Sequence, residues 1–253
     1  MTRGLRKSAM SVPIDLAEFD HNGFAVIPDV FDAATVGELS QRVDTARQSN
    51  NSENVANRSG TYALRNLTDV VPEVAAVVSH RAVVDLVNRV VGSDAFMVRS
   101  TLFDKTPGAN WGVPWHQDLS IAVAERHEVD GFSAWTRKAG VPCVQPPLNM
   151  MRRVLALRLH LDDCSAANGA LKVLPGTHRL DKFDNNAVER QQGQTEEFIC
   201  EVPAGGVVLM RPLLLHASSP MEVETSRRVI HFEFANFELP EPLQWRYRIP
   251  TRP

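Results

Sequence analysis

From about residue 95 onward the chain breaks into short β-type runs separated by turns, at 95–103, 154–161, 170–174, 197–202, 206–210, 213–216 and 227–235. No other feature limits the fold as much. Short strands gathered after a helical first third predict one α+β body that is mainly β, because alternating βαβ units would interleave the two. The first third supplies the helices. Asp15 to Asn22 reads as a short helix, and Gly23 releases it into the apolar run Phe24-Ala25-Val26-Ile27, a strand closed by Pro28. Residues 33–48 carry Val36, Leu39, Val43 and Ala46 at helical spacing. A second helical region is predicted over about 70–91, with Pro72 in its first turn and Val74 to Val90 supplying the buried face. The Asn- and Ser-rich stretch 48–61 reads as an exposed loop. Asn168-Gly169 predicts a tight turn between antiparallel strands, and 119–150 is the longest segment without a regular pattern, the kind that forms lids and binding elements.

Composition excludes several classes of function. A length of 253 residues with 43% hydrophobic content suits a single domain, 1–253, in which residues 1–12 are expected to be a mobile tail. A net charge of −3 offers no general attraction for nucleic acid or anionic lipid, and there is no apolar stretch of membrane-spanning length. Cys143, Cys164 and Cys200 are too few and too widely spaced for a disulfide framework or a CxxC site, which fits the cytoplasm. A monomer or a homodimer is expected.

Chemistry is suggested by His-x-Asp/Glu triplets. Side chains two apart on a strand point the same way, so such a pair can share one metal ion, and a distant His would complete a facial triad with open coordination positions. Three triplets occur: His116-Gln117-Asp118, His160-Leu161-Asp162 and His231-Phe232-Glu233. Roughly one is expected by chance, so spacing alone does not choose. Context favours the first, which follows the aromatic, loop-like Trp111-Gly-Val-Pro-Trp115 at a strand entrance. His160 leads into the Asn-Gly turn, where Asp162 and Asp163 read as turn formers, and His231 and Glu233 lie in an apolar run that suggests buried hydrogen bonding. The run Gly205-Gly206 to His216, bent at Arg211-Pro212, ends in a second candidate ligand.

Five segments in order, DLAEFDHNGFAVIPDVFDAATVGEL, NWGVPWHQD, LALRLHLDDCSAANGALKVLPGTHR, PAGGVVLMRPLLLHASSP and RRVIHFEFA, resemble the phytanoyl-CoA dioxygenase family of iron(II)/2-oxoglutarate oxygenases and cover most of residues 15–236. The resemblance implies a double-stranded β-helix, a cupin-like jelly roll, with the N-terminal helices packed on its larger sheet. It implies that His116, Asp118 and His216 hold Fe(II). An arginine about eleven residues past the distal His, Arg227 or its neighbour Arg228, would take the far carboxylate of 2-oxoglutarate. Lys105, Asn110 and Gln117 are further candidates for contacts to co-substrate or ligand carboxylate. Trp111, Trp115, Phe132 and Trp135 are candidates for the substrate pocket, and Arg158 and His160 would border the site if their strand face looks inward. The implied reaction consumes O2 and 2-oxoglutarate, releases succinate and carbon dioxide, and oxidises an unactivated carbon. Hydroxylation is favoured over halogenation because Asp118 leaves no metal position for a halide. Two rival readings share the triad: a metal- or ligand-binding module without turnover, and a zinc hydrolase.

Overall fold

The computed structural model describes residues 12–48, 54–57 and 60–252. In chain order its strands are β1 (Phe24–Ile27), β2 (Asn54–Asn57), β3 (Gly60–Arg65), β4 (Phe96–Lys105), β5 (Val113–His116), β6 (Ile121–Ala122), β7 (Ser133–Lys138), β8 (Val141–Gln145), β9 (Leu155–His160), β10 (Leu171–Val173), β11 (Phe198–Cys200), β12 (Val207–Met210), β13 (His216–Ser218), β14 (Arg227–Ala235) and β15 (Ile249–Pro250). The larger sheet runs β1, β12, β9, β14, β4, β3, β2, with β15 added on β4. A smaller sheet runs β11, β10, β13, β5, and a third, of three strands, runs β6, β8, β7. Every pairing is antiparallel.

The period-two alternation of strands sorts the larger sheet into two faces. On β14, Ile230, Phe232 and Phe234 join Leu155, Leu157 and Leu159 of β9 and Val207 and Leu209 of β12 in one core with the helices. That core includes Val36, Leu39 and Val43 of the helix Ala33–Gln48 and Val83, Leu86 and Val87 of the helix Arg81–Val91. Burial of each such side chain is worth roughly 1.5–3 kcal/mol, which fixes the helices on this face. Arg228 and Asp104, on the same side, tie the sheet to the helix Ala33–Gln48 by ion pairs with Asp44 and Arg47. The opposite face carries the odd-numbered residues Arg227, His231 and Glu233 of β14, and Arg99, Thr101 and Phe103 of β4, and it looks across a cavity toward the smaller sheet.

Several sequence expectations are corrected. Asn168-Gly169 does not close a hairpin: β9 and β10 belong to different sheets. The Asn and Gly instead end a 3-10 turn, Ala166–Asn168, in which Ser165 and Asn168 cap each other and Gly169 takes φ +77. The crossover is sharp because Ala170 N bonds back to Ser165 O. The region 70–91 is broken into the helices Leu67–Val70, Ala75–Val78 and Arg81–Val91 with a 3-10 turn at Pro72–Val74. Part of the loop expected at 48–61 is the β2–β3 hairpin, and its remaining residues, 49–53 and 58–59, lie outside the described residues. So does the tail expected at 1–12, except for Val12. The segment 119–150 is ordered as the third sheet and the short helix Leu148–Met151. Strand β7 is solvated on both faces and its pairing with β8 shifts register between Ser133 and Thr136, so it shows no alternation of apolar residues. No helix among the described residues is long and apolar enough to cross a membrane.

Candidate metal centre

Strands β5 and β13 pair so that His116 stands directly opposite His216, and their ring centroids lie 4.1 Å apart. Asp118 follows β5 and is fastened by its own backbone, whose N–H donates to Pro212 O at 2.9 Å. Between His116 and Asp118, Gln117 turns the other way. Its amide donates to Leu213 O at 2.8 Å and accepts from Phe183 N–H at 3.0 Å, clipping the segment that precedes His216. His216, remote in sequence, is thus held beside His116 and Asp118 by strand register and main-chain bonds, before any ion is considered.

The ring orientations are also set. Nδ1–H of His116 donates to Pro114 O, and Nδ1–H of His216 donates to Leu214 O, each at 2.8 Å. A carbonyl can only accept, so each ring carries its proton on Nδ1 and turns the Nε2 lone pair toward Asp118, the outer support typical of ligating imidazoles. Nε2 of His116 is 3.9 Å from Asp118 Oδ1, and Nε2 of His216 is 3.5 Å from Asp118 Oδ2. These separations are long for hydrogen bonds and fit a cation about 2.1 Å from each donor. Among the described residues His116, Asp118 and His216 form the one cluster of three or more candidate ligands, all within 4.8 Å of one another.

Electrostatics favour the ligating forms. Burial pushes the His216 imidazole down to about 4, further than the Asp118 carboxylate can lift it, so the ring is neutral at pH 7. Burial would raise the Asp118 carboxyl, but His216, His231, His116 and Arg99 hold it well below the usual carboxylate range. His216 is buried, whereas the side chains of His116 and Asp118 are about a third exposed, at 38% and 33%. The open side of the triad therefore faces the cavity. Two imidazoles and one carboxylate with free neighbouring positions are the donor set of a non-haem iron(II) facial triad, and the residues fit that ion.

The cavity is about 400 Å³ and is bounded by both sheets and the third. Arg227 lines it, buried, donating to Gly169 O and touching Cys164. Arg228, one residue on, lies on the helix side, where Asp162 takes its Nε and Nη2 at 2.9 and 2.6 Å and Asp44 takes Nη1. Lys105, directly opposite Arg227 in register, is fully buried beside the cavity and donates to Ser218 Oγ and Ser219 O. Burial, then the neighbouring Arg227, lowers its ammonium to about 7. Asn110 does not line the cavity, since its amide exchanges two hydrogen bonds with the Met221 backbone. Of the aromatic candidates Trp111 lines it, and Trp115, Phe132 and Trp135 do not.

Other cavity residues escape the sequence reading. His231 and Glu233, expected to be ordinary buried hydrogen-bonding groups, face the metal side: His231 meets Arg158 at 3.3 Å and Glu233 pairs with Arg99 at 2.8 Å. Arg65, Arg99 and Lys138 also line the wall. The strand face of Arg158 does look inward, and His160 beside it has neither ring nitrogen hydrogen-bonded among the described residues. Burial, then Arg158 and Arg227, pushes His160 well below its ordinary value.

Residues 19–229 match the phytanoyl-CoA dioxygenase (PhyH) family. The chain belongs to this family. It is 26% identical over 171 residues to an ectoine dioxygenase of Nocardia farcinica (strain IFM 10152), which covers 65% of this chain and 50% of that protein. The matched region thus spans about half the length of that relative. In fold the chain superposes on the crystal structure of EctD from S. alaskensis with 2-oxoglutarate and 5-hydroxyectoine, with TM-score 0.69, 18% identity and coverage of 87% of this chain and 74% of that one. The non-heme alpha ketoglutarate dependent carbocyclase SnoK from nogalamycin biosynthesis gives TM-score 0.67 at 15% identity, covering 87% and 81%. This PhyH chain shares the fold of both.

Proposed function

We propose that the chain is an iron(II)- and 2-oxoglutarate-dependent dioxygenase that oxidises a small organic molecule, with its strands arranged as a double-stranded β-helix. The observation that carries the reading is the pairing of an open His116-Asp118-His216 triad with a buried arginine, Arg227, that lines the same cavity and pairs with no carboxylate among the described residues. A buried guanidinium without an anion is costly, so the site is built to receive one.

When bound, ferrous ion with O2 and 2-oxoglutarate supplies the oxidising power, in a reaction that releases succinate and carbon dioxide and leaves a substrate carbon hydroxylated. His116, Asp118 and His216 hold the ion. The planar fork of Arg227 binds the far carboxylate of the co-substrate, and Arg158, whose Nε is buried without a partner among the described residues, adds positive charge beside it. Arg228, paired with Asp162 and Asp44 on the helix side, serves the helix contact instead. Lys105 holds Ser218 and the strand that carries His216, while Asn110 anchors the turn that follows, so both support the site at one remove. Leu119, Val113, Leu171 and Ala217 add apolar patches to a cavity wall that is otherwise largely polar. Three buried free thiols, Cys143, Cys164 and Cys200, suit a reducing cytoplasm.

The test is metal-dependent co-substrate binding without oxygen. Protein loaded with Fe(II) should develop the visible absorption of a keto-acid chelate when 2-oxoglutarate is added, and Zn(II) should give none. Activity on added esters or amides with Zn(II) and no need for 2-oxoglutarate would move the reading to hydrolysis.

A further inference from the structure

Building on the oxygenase reading, we propose that the substrate carries an oxyanion, a carboxylate or phosphate-type group, which docks at the cavity mouth on Lys138 beside Arg99 and Arg65. Lys138 ends β7, where the β7–β8 turn runs through Ala139 and Gly140 at φ +45 and +76. This turn is seated against the body of the protein: Ala139 O accepts from the Asn66 amide at 3.3 Å. The lysine thus reaches back into the cavity from a fixed hairpin. Its ammonium donates to Ser120 Oγ at 3.2 Å, two residues past Asp118, and is in no ion pair among the described residues.

The surroundings of Lys138 are positive. Burial, and then Arg99, lowers its ammonium, with Arg65 acting in the same direction and Cys143 and Asp118 opposing, so all three cations lie within electrostatic reach of one another. Arg99 is largely committed to Glu233. Even leaving Arg65 aside, the cavity sets Arg99, Lys138, Arg158 and Arg227 against only Asp118 and Glu233. Ferrous ion and the 2-oxoglutarate dianion cancel each other, so the fully loaded site keeps an excess of positive charge. The co-substrate is directed to Arg227 and Arg158, leaving Lys138 to a different anion. Gathering like charges in a cavity of low dielectric is unfavourable, and an anionic group on the substrate relieves it. A lysine and a serine hydroxyl together offer several N–H and O–H donors, which suits an oxyanion.

Inorganic phosphate and acetate are the probes, titrated calorimetrically into protein loaded with redox-inert Mn(II) and 2-oxoglutarate, and separately into protein without either. At least one probe is expected to bind saturably to wild type, and to identify the oxyanion class by which binds more tightly. Lys138→Gln should weaken that binding about ten-fold or more, roughly 1.4 kcal/mol, while Lys138→Arg retains it. The 2-oxoglutarate affinity of Lys138→Gln should be unchanged, which a folding defect would not allow. Three results would overturn the inference: no saturable binding of either probe, binding indifferent to Lys138→Gln, or binding lost in Arg227→Gln and kept in Lys138→Gln. Failure of wild type to bind 2-oxoglutarate would instead strike the oxygenase reading. The titration without metal or co-substrate would still decide the role of Lys138.

Discussion

Arg227 and Arg228 show how one residue of register decides a role. Parity along β14 separates them: Arg228 shares a face with Ile230, Phe232 and Phe234, and Arg227 with His231 and Glu233. That signal is present in RRVIHFEFA itself, since the apolar residues mark the core face and the titratable ones the cavity face. We expect Arg227→Gln to weaken 2-oxoglutarate binding by about 100-fold, the scale of a lost charge-assisted bidentate pair, with little effect on metal affinity. Arg228→Gln should leave that binding intact and lower stability by about 1–3 kcal/mol, because it strips Asp162 and Asp44 of their shared partner. Equilibrium dialysis of 2-oxoglutarate and urea unfolding of the two variants check both statements. Equal effects of the two substitutions on co-substrate affinity would remove the parity argument.

Among the elements, the strongly periodic ones were legible: the helix Ala33–Gln48, β4, β9, β12 and β14 all fall where spacing put them. The candidate metal pair was legible only in context, because His116 and Asp118 straddle the end of β5, which is too short and too exposed to show alternation. The third sheet was not legible, because β7 buries neither face. His231 and Glu233 looked like core residues for the reason that they are buried; that they border a cavity depends on pairing between strands far apart in sequence. The Gly205-Gly206 turn is an element whose sequence requirement can be tested. Gly205 sits at φ +83, and a Cβ there would come within 2.4 Å of Phe31 O. The same residue accepts from the Val30 and Phe31 N–H groups and donates to His160 O, so it joins β9, β12 and the start of the helix layer. Gly205→Ala is expected to cost about 2–4 kcal/mol, read as a drop in thermal midpoint, whereas Gly37→Ala, which meets open space in a helix, should be neutral or stabilising.

At the scale of the whole molecule, buried neutral imidazoles set the acid side of the stability profile. Burial holds His178 and His216 down at about 4, and His160 also lies well below its ordinary value. Between pH 6.5 and 4 the unfolded chain therefore binds protons that the folded chain refuses, so stability rises with pH across that window and falls as the solution is acidified. Each tenfold loss of proton affinity on folding is worth about 1.4 kcal/mol, giving a loss on the order of several kcal/mol by pH 4 in the metal-free protein. Asp118 extends the same trend into stronger acid: its depressed carboxyl contributes stability that is fully present above about pH 4 and is lost as the pH falls below that. Denaturant unfolding across pH 4–7 measures the slope, and a flat profile would contradict the neutral state assigned to these rings. The same neutral His216 and charged Asp118 make the triad ready to bind a cation at pH 7 without releasing protons from those two groups.

The most direct measurement of the central claim is succinate released from 2-oxoglutarate under air with added Fe(II), compared between the wild-type protein and His216→Ala. The wild type is predicted to release succinate with carbon dioxide in equal amounts, and the variant to fall to the level of Fe(II) without protein. Equal rates in both proteins would show that His116, Asp118 and His216 do not assemble the catalytic site.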